Sequence, residues 1–353
     1  MPLSYLFLIR VYLKYLIIIT FGLGIFFVCI DTLKYSNDLP DSANLIVLFV
    51  LYDFMYACGF IFPISLLLAE VVLLSALLKN NEFTAFLSLG YSKKRIAIPI
   101  FCTAFICILG FIALNATPFA YAKENVDLII DQNASSRNKG ELLVKHQNNY
   151  IYFDKIFPLL QKANDIRVYT LQGKNLTQLI QAKEAFFENN RWNLKNVTIF
   201  TLNPDIDAKE KIMQIQQDET MGILEGFRPK ILDIIYEKSG SVSIIDAISS
   251  LILLNNEQIQ SPKIRGILYS LTIFPLFVFP VLVLVFTKMP LTTRYGELTF
   301  YIFRSILIAL VSWGIFFALS RFAQSGFIHP EWSLLLPMCL WWLVGIYFTT
   351  KIN

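Results

Sequence analysis

Long apolar segments stand at both ends of this chain, and a polar stretch from about Ala120 to Ser261 separates them. This order is typical of a membrane protein that holds a folded, water-exposed domain between two sets of membrane helices. Composition agrees, because 56% of the residues are hydrophobic and only 16% are charged. An ordinary cytosolic enzyme is therefore excluded.

Six stretches are long and apolar enough, or nearly so, to cross a bilayer core, which needs about 20 residues in a helix. They lie near residues 13–33, 56–78, 96–116, 265–286, 299–320 and 333–350. The first is not followed by a small-residue cleavage site, so we expect a retained anchor rather than a signal peptide. Residues 42–52 are also apolar, but Asp53 interrupts the run, and we interpret them as a helix on the outer surface that leads into the second span.

Basic residues beside the spans predict the orientation of the chain, because positively charged loops tend to remain cytoplasmic. Arg10 and Lys14 precede the first span, and Lys351 follows the sixth. The others lie between the second and third spans (Lys79, Lys93, Lys94 and Arg95) and between the fourth and fifth (Lys288 and Arg294). Both termini are therefore expected in the cytoplasm. The polar domain then faces the opposite side, which is the periplasm in a bacterium with two membranes.

Three regions follow from this pattern: membrane helices in 1–119, the polar domain in 120–261, and membrane helices in 262–353. Residues 242–255 have the Ile/Leu spacing of a helix, which would return the chain to the fourth span. The whole is expected to be a polytopic α-helical protein of six transmembrane helices with an inserted domain.

The polar domain has the pattern of β-strands. Apolar and polar residues nearly alternate in 149–153, 166–170 and 192–202, and turn-forming residues separate these runs. Residues 183–194 are expected to form a hairpin. Short strands with few helical patterns favour an all-β sandwich or jelly roll.

The chain shows no motif for catalysis or for a cofactor. Its only Gly-Lys pair, Gly173-Lys174, lacks the glycine spacing and the Ser or Thr of a phosphate-binding loop, so the chain is not expected to hydrolyse ATP itself. His146 and His329 have no nucleophile at a recognisable spacing. The five cysteines lie in apolar spans without metal-ligand spacing. The small net charge of +4, without a Lys/Arg block, gives no indication of nucleic-acid binding.

The segment between the second and third spans predicts a short amphipathic helix on the cytoplasmic surface. Asn81 is a candidate N-cap, Glu82 lies in the first turn, where negative charge is favourable, and Gly90 is a candidate end. One face of the helix is apolar and consists of Phe83, Phe86 and Leu87. A helix that rests on lipid headgroups would look similar. Glu82 favours a partner protein instead, because an acid gains nothing at an anionic surface.

These features, in this order, resemble the lipopolysaccharide-export permeases of the LptF/LptG type. Glu82, the apolar face and residues 88–94 resemble the coupling segment of that family. Residues 62–63 with the Leu-rich run after them are similar to its second span, and residues 182–192 are similar to its periplasmic hairpin. The likeness extends over nearly the whole chain, and residues 31–35 resemble the LptG type slightly more than the LptF type.

The resemblance implies a permease subunit of an ATP-driven exporter that extracts lipopolysaccharide from the inner membrane and passes it to a periplasmic bridge protein. The other implied partners are a cytoplasmic ATPase dimer, a second homologous six-span permease and a single-span accessory protein. Carried over by position, Glu82 with Phe83, Phe86, Leu87 and Gly90 would couple the chain to the ATPase. Lys34 would meet the phosphates of the lipid, and the first and fifth spans would line its lateral entrance.

Two further charged residues are candidates from their positions in the spans. Glu70 lies near the middle of the second span, where an ionised carboxylate costs about 2.5 to 3.5 kcal/mol. It is expected to face the bundle or a cavity as an intramembrane polar site. Arg321 lies at the outer end of the fifth span and can pair with lipid phosphate. Extension of its side chain to the interface explains this position almost as well.

A second class of protein stays open from the residues alone. A membrane-anchored protein that binds an envelope partner and transmits the state of a cytoplasmic ATPase, without moving a substrate, would share the coupling helix. Such a protein would not need an apolar groove in its outer domain. The two classes differ in whether bound lipopolysaccharide is released when ATP is present.

Overall fold

The structure, a computed structural model, describes residues 3–130, 142–146, 149–157, 161–172, 175–188, 191–202, 213–223, 241–253, 261–290 and 297–350. The chain divides into a helical unit, Met1–Ile130 with Ser243–Asn353, and a β unit, Asp131–Val242. The helices of the first unit are α1 (Leu3–Lys34), α2 (Ala43–Lys79), α3 (Glu82–Ser88), α4 (Lys93–Leu114), α5 (Ala122–Ile130), α6 (Ile244–Leu253), α7 (Ser261–Thr272), α8 (Val278–Thr287), α9 (Glu297–Ser325) and α10 (Leu336–Thr349). Helices α5 and α6 fall within the stretch that the sequence assigns to the polar domain, and both belong to the helical unit.

Five helices in the described part of the chain are long and apolar enough to cross a membrane: α1, α2, α4, α9 and Glu331–Thr349, which contains α10. A sixth candidate is the bent pair Pro262–Thr272 and Phe274–Thr287, whose two halves meet at 47°. Pro275 lies in the tight turn between them. Because proline has no N–H, it cannot continue the hydrogen bonds of the first half. The prediction of a polytopic helical membrane protein is confirmed, and the fourth predicted span is the bent pair.

Helix α2 is the central helix of this unit. In its most apolar window 72% of the residues are buried, against 17% in α1 and 22% in α9. Residues 43–52 form a helix that leads into the second span, as predicted, but the interruption expected at Asp53 is wrong, because α2 runs unbroken from Ala43 to Lys79. Asp53 does not end the helix, and its side chain is fully buried. At about 1.5 Å per residue, this helix is much longer than a bilayer core of about 30 Å.

The β unit contains one antiparallel sheet among its described residues, with the strands in chain order. They are β1 (Leu142–His146), β2 (Asn149–Phe157), β3 (Lys162–Gln172), β4 (Asn175–Glu188), β5 (Arg191–Leu202) and β6 (Met213–Ile223). The predicted all-β insertion is confirmed, and β4 and β5 form the expected hairpin. The connectivity differs from a sandwich or jelly roll, because each described strand pairs with the next in the chain. Connections of a few residues between β2 and β5 allow only this neighbouring pairing.

One face of the sheet is apolar even though its side chains do not simply alternate. The ladder is interrupted along a row that crosses β2 to β6, and in this row Asp165 and Asn196 have left-handed φ values of 49° and 53°. On either side of the row the buried residues stand three apart instead of two: Ala163 and Ile166, Ala182 and Ala185, and Leu194 and Val197. The pairing register is the same on both sides of the row, so no strand has an extra residue relative to its neighbour, and the buried pairs are aligned from strand to strand.

Candidate functional site

Helix α3 is anchored to the membrane helices by its apolar face. The Phe83 side chain is fully buried. Phe86 and Leu87 are half-buried against the same core. The Phe86 ring centroid lies 6.5 Å from that of Phe7 in α1 and 5.8 Å from that of Tyr91. Helix α3 is therefore packed against α1 and the core through this face, and its opposite side is exposed.

The two ends of α3 differ in how closely they follow the sequence prediction. Gly90 has a φ of +82°. The N–H groups of Gly90 and Tyr91 donate to the carbonyl oxygens of Leu87 and Phe86, each at 3.0 Å, which is the bonding pattern of a Schellman motif. Asn81 precedes the helix with a φ of 57°, but its side chain makes no capping hydrogen bond. Gly90 therefore ends the helix as predicted, and Asn81 stands at the predicted N-cap position without a side-chain hydrogen bond to the helix.

Glu82 is the first residue of α3 and is partly exposed. Its Oε1 atom accepts a long hydrogen bond of 3.5 Å from Asn80 Nδ2. No basic side chain in the described ranges forms an ion pair with it. The carboxylate is thus held at the helix N-terminus, where the helix dipole favours it, and it can accept a hydrogen bond from a basic group of a partner.

Towards the opposite ends of the spans, a row of aromatic rings crosses from α1 over α2 to α9; we call it the aromatic row. The Phe60 ring centroid lies 5.0 Å from that of Phe27 and 6.3 Å from that of Phe317. Tyr56 packs edge-on against Phe27 and Phe60, at 6.1 and 5.6 Å. Trp313 stacks on Phe317 at 5.3 Å, and its Nε1 donates to the Phe60 carbonyl oxygen at 3.1 Å. All five rings are half-buried, so one side of the row is an accessible apolar surface.

The two predicted lipid-binding residues lie near this row and are exposed. The Arg321 guanidinium carbon lies 5.0 Å from the centre of the Phe317 ring, and one guanidinium nitrogen donates to Gln324 at 3.2 Å. Lys34 Nζ donates to the Tyr35 hydroxyl at 3.0 Å and lies 4.5 Å from the centre of that ring. Guanidinium and ammonium groups carry several donors, so both residues can still bind an anion.

Lys123 in α5 joins this group, and sequence reasoning did not identify it. Its Nζ atom lies 5.7 Å from the Tyr35 ring centre and 5.2 Å from that of Tyr56, and pairs with Asp127 at 3.0 Å. Burial alone would lower the pKa of Lys123, but the hydrogen bond and charge of Asp127, with the two tyrosines, raise it above its ordinary value. Lys123 therefore stays protonated at neutral pH. Its i,i+4 spacing to Asp127 was the only indication in the sequence.

Two buried acids, Asp31 and Asp53, lie in the same region and were also missed. Asp53 is fully buried, and neither of its oxygens has a hydrogen-bond donor among the described residues. Asp31, Lys34 and Lys123 lie close enough for their charges to act on it. Basic and acidic groups therefore lie together at the C-terminal end of α1 and in the N-terminal part of α2, which we call the Lys34 ends of the spans.

Glu70 faces the interior of the helical unit, as the cost of a lipid-facing carboxylate predicts. It is fully buried, and neither of its oxygens has a hydrogen-bond partner among the described residues. Tyr12 and Tyr301 lie near enough for its charge to act on them. Their hydroxyls donate to the backbone carbonyls of Leu66 and Val285, at 3.0 and 3.3 Å, and not to Glu70. No cluster of three His, Cys, Asp or Glu residues within the described ranges is suited to a metal ion.

A comparison with models of protein families decides between the two classes of protein that the residues left open. The family described as lipopolysaccharide export system permease LptF/LptG matches residues 6–351, nearly the full length. The chain belongs to the LptF/LptG family. Among curated proteins, none matches this chain.

Membership makes the chain an LptF/LptG permease of the lipopolysaccharide export system, not an anchored interaction protein. LptF/LptG permeases are transmembrane subunits without ATPase activity, in accord with the missing phosphate-binding loop. The match also places the chain among multi-pass membrane proteins that work with the other Lpt components. The LptF/LptG description covers both types of permease.

Proposed function

We propose that this LptF/LptG permease extracts lipopolysaccharide from the inner membrane and passes it to a periplasmic bridge protein, using ATP hydrolysed by a cytoplasmic ATPase dimer. A second homologous six-span permease and a single-span accessory protein complete the assembly. Both termini lie in the cytoplasm and the β unit in the periplasm, a topology supported by the basic residues beside the spans. Residues 31–35 support an LptG-type assignment.

The observation that carries this proposal is the aromatic row, with Arg321 and Lys34 near it. Lipopolysaccharide combines several acyl chains with phosphate groups. Each CH₂ group transferred from an apolar surface to water costs about 0.8 kcal/mol, so the chains must stay in contact with apolar side chains throughout their path. The half-buried rings of α1, α2 and α9 supply such a surface. The exposed cations supply charge-assisted hydrogen bonds to phosphate.

The ATPase is proposed to act on this site through α3. Glu82 pairs with a basic group of the ATPase at the exposed side of the helix. Phe83, Phe86 and Leu87 transmit the movement, because they join α3 to the core from which the spans are built. The Schellman motif at Gly90 fixes the angle at which the chain enters α4. Helix α3 is therefore proposed to move as one body with the core against which it packs.

The proposed function is tested with photo-crosslinking residues in place of Lys34 and Arg321, in the purified complex in liposomes that contain lipopolysaccharide. We expect both positions to capture lipopolysaccharide without ATP. With ATP, capture should fall several-fold while lipopolysaccharide appears on added bridge protein. A crosslinker at Leu89, which is exposed beside α3, is the matched control and should capture none. Absence of capture at both sites in an intact complex would remove these residues from the path, and ATP-independent retention would contradict export.

We further propose that Glu70 is a polar site on which transport depends. Because its carboxyl group is buried without a partner, replacement by leucine should leave stability unchanged or raise it by about 1 to 3 kcal/mol. Glu70→Leu is nevertheless expected to slow ATP-dependent release of lipopolysaccharide. Glu70→Gln is expected to keep a release rate closer to that of the native chain. Thermal unfolding and release are measured on the same preparations. Release at the wild-type rate in Glu70→Leu would show that Glu70 has no part in transport.

A further inference from the structure

Helix α6 exposes apolar side chains and buries polar ones. Ile245, Ile248 and Ile252 are 53%, 44% and 72% exposed. They stand three and four residues apart and so form one stripe along the helix, here called the isoleucine stripe. Three polar residues of α6 and its N-cap are buried on another side, Ser243, Asp246 and Ser250; the remaining polar residue, Ser249, is partly exposed. A surface helix of a water-soluble protein has the reverse arrangement.

Polar contacts hold α6 in this orientation. The Tyr121 hydroxyl donates a hydrogen bond to Asp246 Oδ2. The N–H of Ile244 donates to the carbonyl oxygen of Asn115 at 3.2 Å, and Ser243 Oγ accepts from the N–H of Asp246 at 3.1 Å. Burial, with the hydrogen bond to Asp246, raises the pKa of Tyr121, so its hydroxyl remains a donor at any physiological pH. Rotation of the stripe inward would break these contacts.

The isoleucine stripe adjoins the ends of two membrane spans. Asn115, which accepts the hydrogen bond from Ile244, directly follows the last residue of α4, Leu114, whose side chain is 42% exposed. Helix α6 also packs against α7, the first half of the bent span. Helix α6 therefore lies beside the C-terminal end of α4 and against the first half of the bent span.

We propose that the isoleucine stripe lies in the boundary between headgroups and acyl chains of the membrane leaflet at the Lys34 ends of the spans. Phospholipid acyl chains are its occupant. With 10 residues, α6 is too short to cross a bilayer core, which needs about 20, so it lies along the surface. The polar contacts to Tyr121 and Asn115 then face the protein, as an interfacial helix of this kind requires. The chain that leaves the β unit at Val242 is thereby fixed at the membrane surface.

The proposal is tested by fluorescence quenching in nanodiscs. Azidophenylalanine replaces Ile248 or, separately, Ile252 in the full chain, and carries an environment-sensitive fluorophore, so that the native cysteines remain. Lipids brominated near the glycerol end of the acyl chain are expected to quench both positions strongly and aqueous iodide only weakly. Ile106 in α4, 67% exposed, is the lipid-facing control, and the exposed Lys183 of β4 is the aqueous control.

Each outcome decides the question. Quenching by brominated lipid at both α6 positions, at a level closer to Ile106 than to Lys183, supports the proposal. Quenching by iodide alone would overturn it in favour of water. Protection from both quenchers would overturn it in favour of a protein partner over the stripe. The nanodiscs contain phospholipid without lipopolysaccharide, so the result does not depend on the proposed transport function.

Discussion

Replacing Glu82 with lysine is expected to release the ATPase from this permease. The substitution removes the acidic contact and places a positive charge opposite the basic group that Glu82 is proposed to meet. Disruption of a desolvated charge pair at an interface costs about 2 kcal/mol or more, which corresponds to at least roughly 30-fold weaker binding. The measurement is the amount of ATPase that co-purifies with the permease in mild detergent, and the affinity of the separated components.

Lys93→Glu is the matched control, because Lys93, the first residue of α4, lies close to α3 in the chain and the change has the opposite sign. It should leave co-purification almost unchanged, since glutamate is favourable in the first turn of α4. Lysine at position 82 disfavours the first turn of α3 by only about 0.3 to 1 kcal/mol, and the buried Phe83 keeps the helix in place. Undiminished ATPase binding by Glu82→Lys, with α3 intact, would contradict the coupling role of Glu82.

The position of α3 was predictable because its information is local. Gly90 supplies a left-handed end, and the apolar spacing of Phe83, Phe86 and Leu87 defines the buried face. The spans were predictable for a similar reason, since hydrophobic length alone identifies them. The boundaries of the spans were less predictable from the sequence. Asp53 was interpreted as an interruption, whereas the structure shows that α2 continues through it.

Features that depend on several elements together were not predictable. The interrupted row in the sheet needs Asp165 and Asn196 to adopt left-handed conformations at matching places in different strands. Simple alternation does not reveal such a register. The pairing of each described strand with the next follows from the short connections between β2 and β5. The prediction of a sandwich did not take the length of these connections into account. Lys123 belongs to the candidate site only because Tyr35 and Tyr56, far away in sequence, meet beside it.

Substitution of Gly266 by alanine is expected to be the most destabilising small change in the spans. Gly266 is buried where α7 contacts α9, and a Cβ atom there would overlap the backbone carbonyl of Ala323. Close approach of two membrane helices through small residues is a main source of their association. The methyl group must push the two helices apart, at a cost of about 3 kcal/mol, because backbone atoms cannot move aside as a flexible side chain can.

Gly314→Ala is the control for this prediction, because Gly314 is also in α9 and a Cβ there would meet nothing within 4 Å. Alanine is favoured over glycine within a helix by about 1 kcal/mol, so this variant should be as stable as the native chain or slightly more stable. Thermal unfolding in detergent measures both. Equal stability of the two variants would show that α7 and α9 do not need this close contact. Since Phe317 and Arg321 lie within two turns of Ala323, separation of the helices should also reduce lipopolysaccharide capture at position 321.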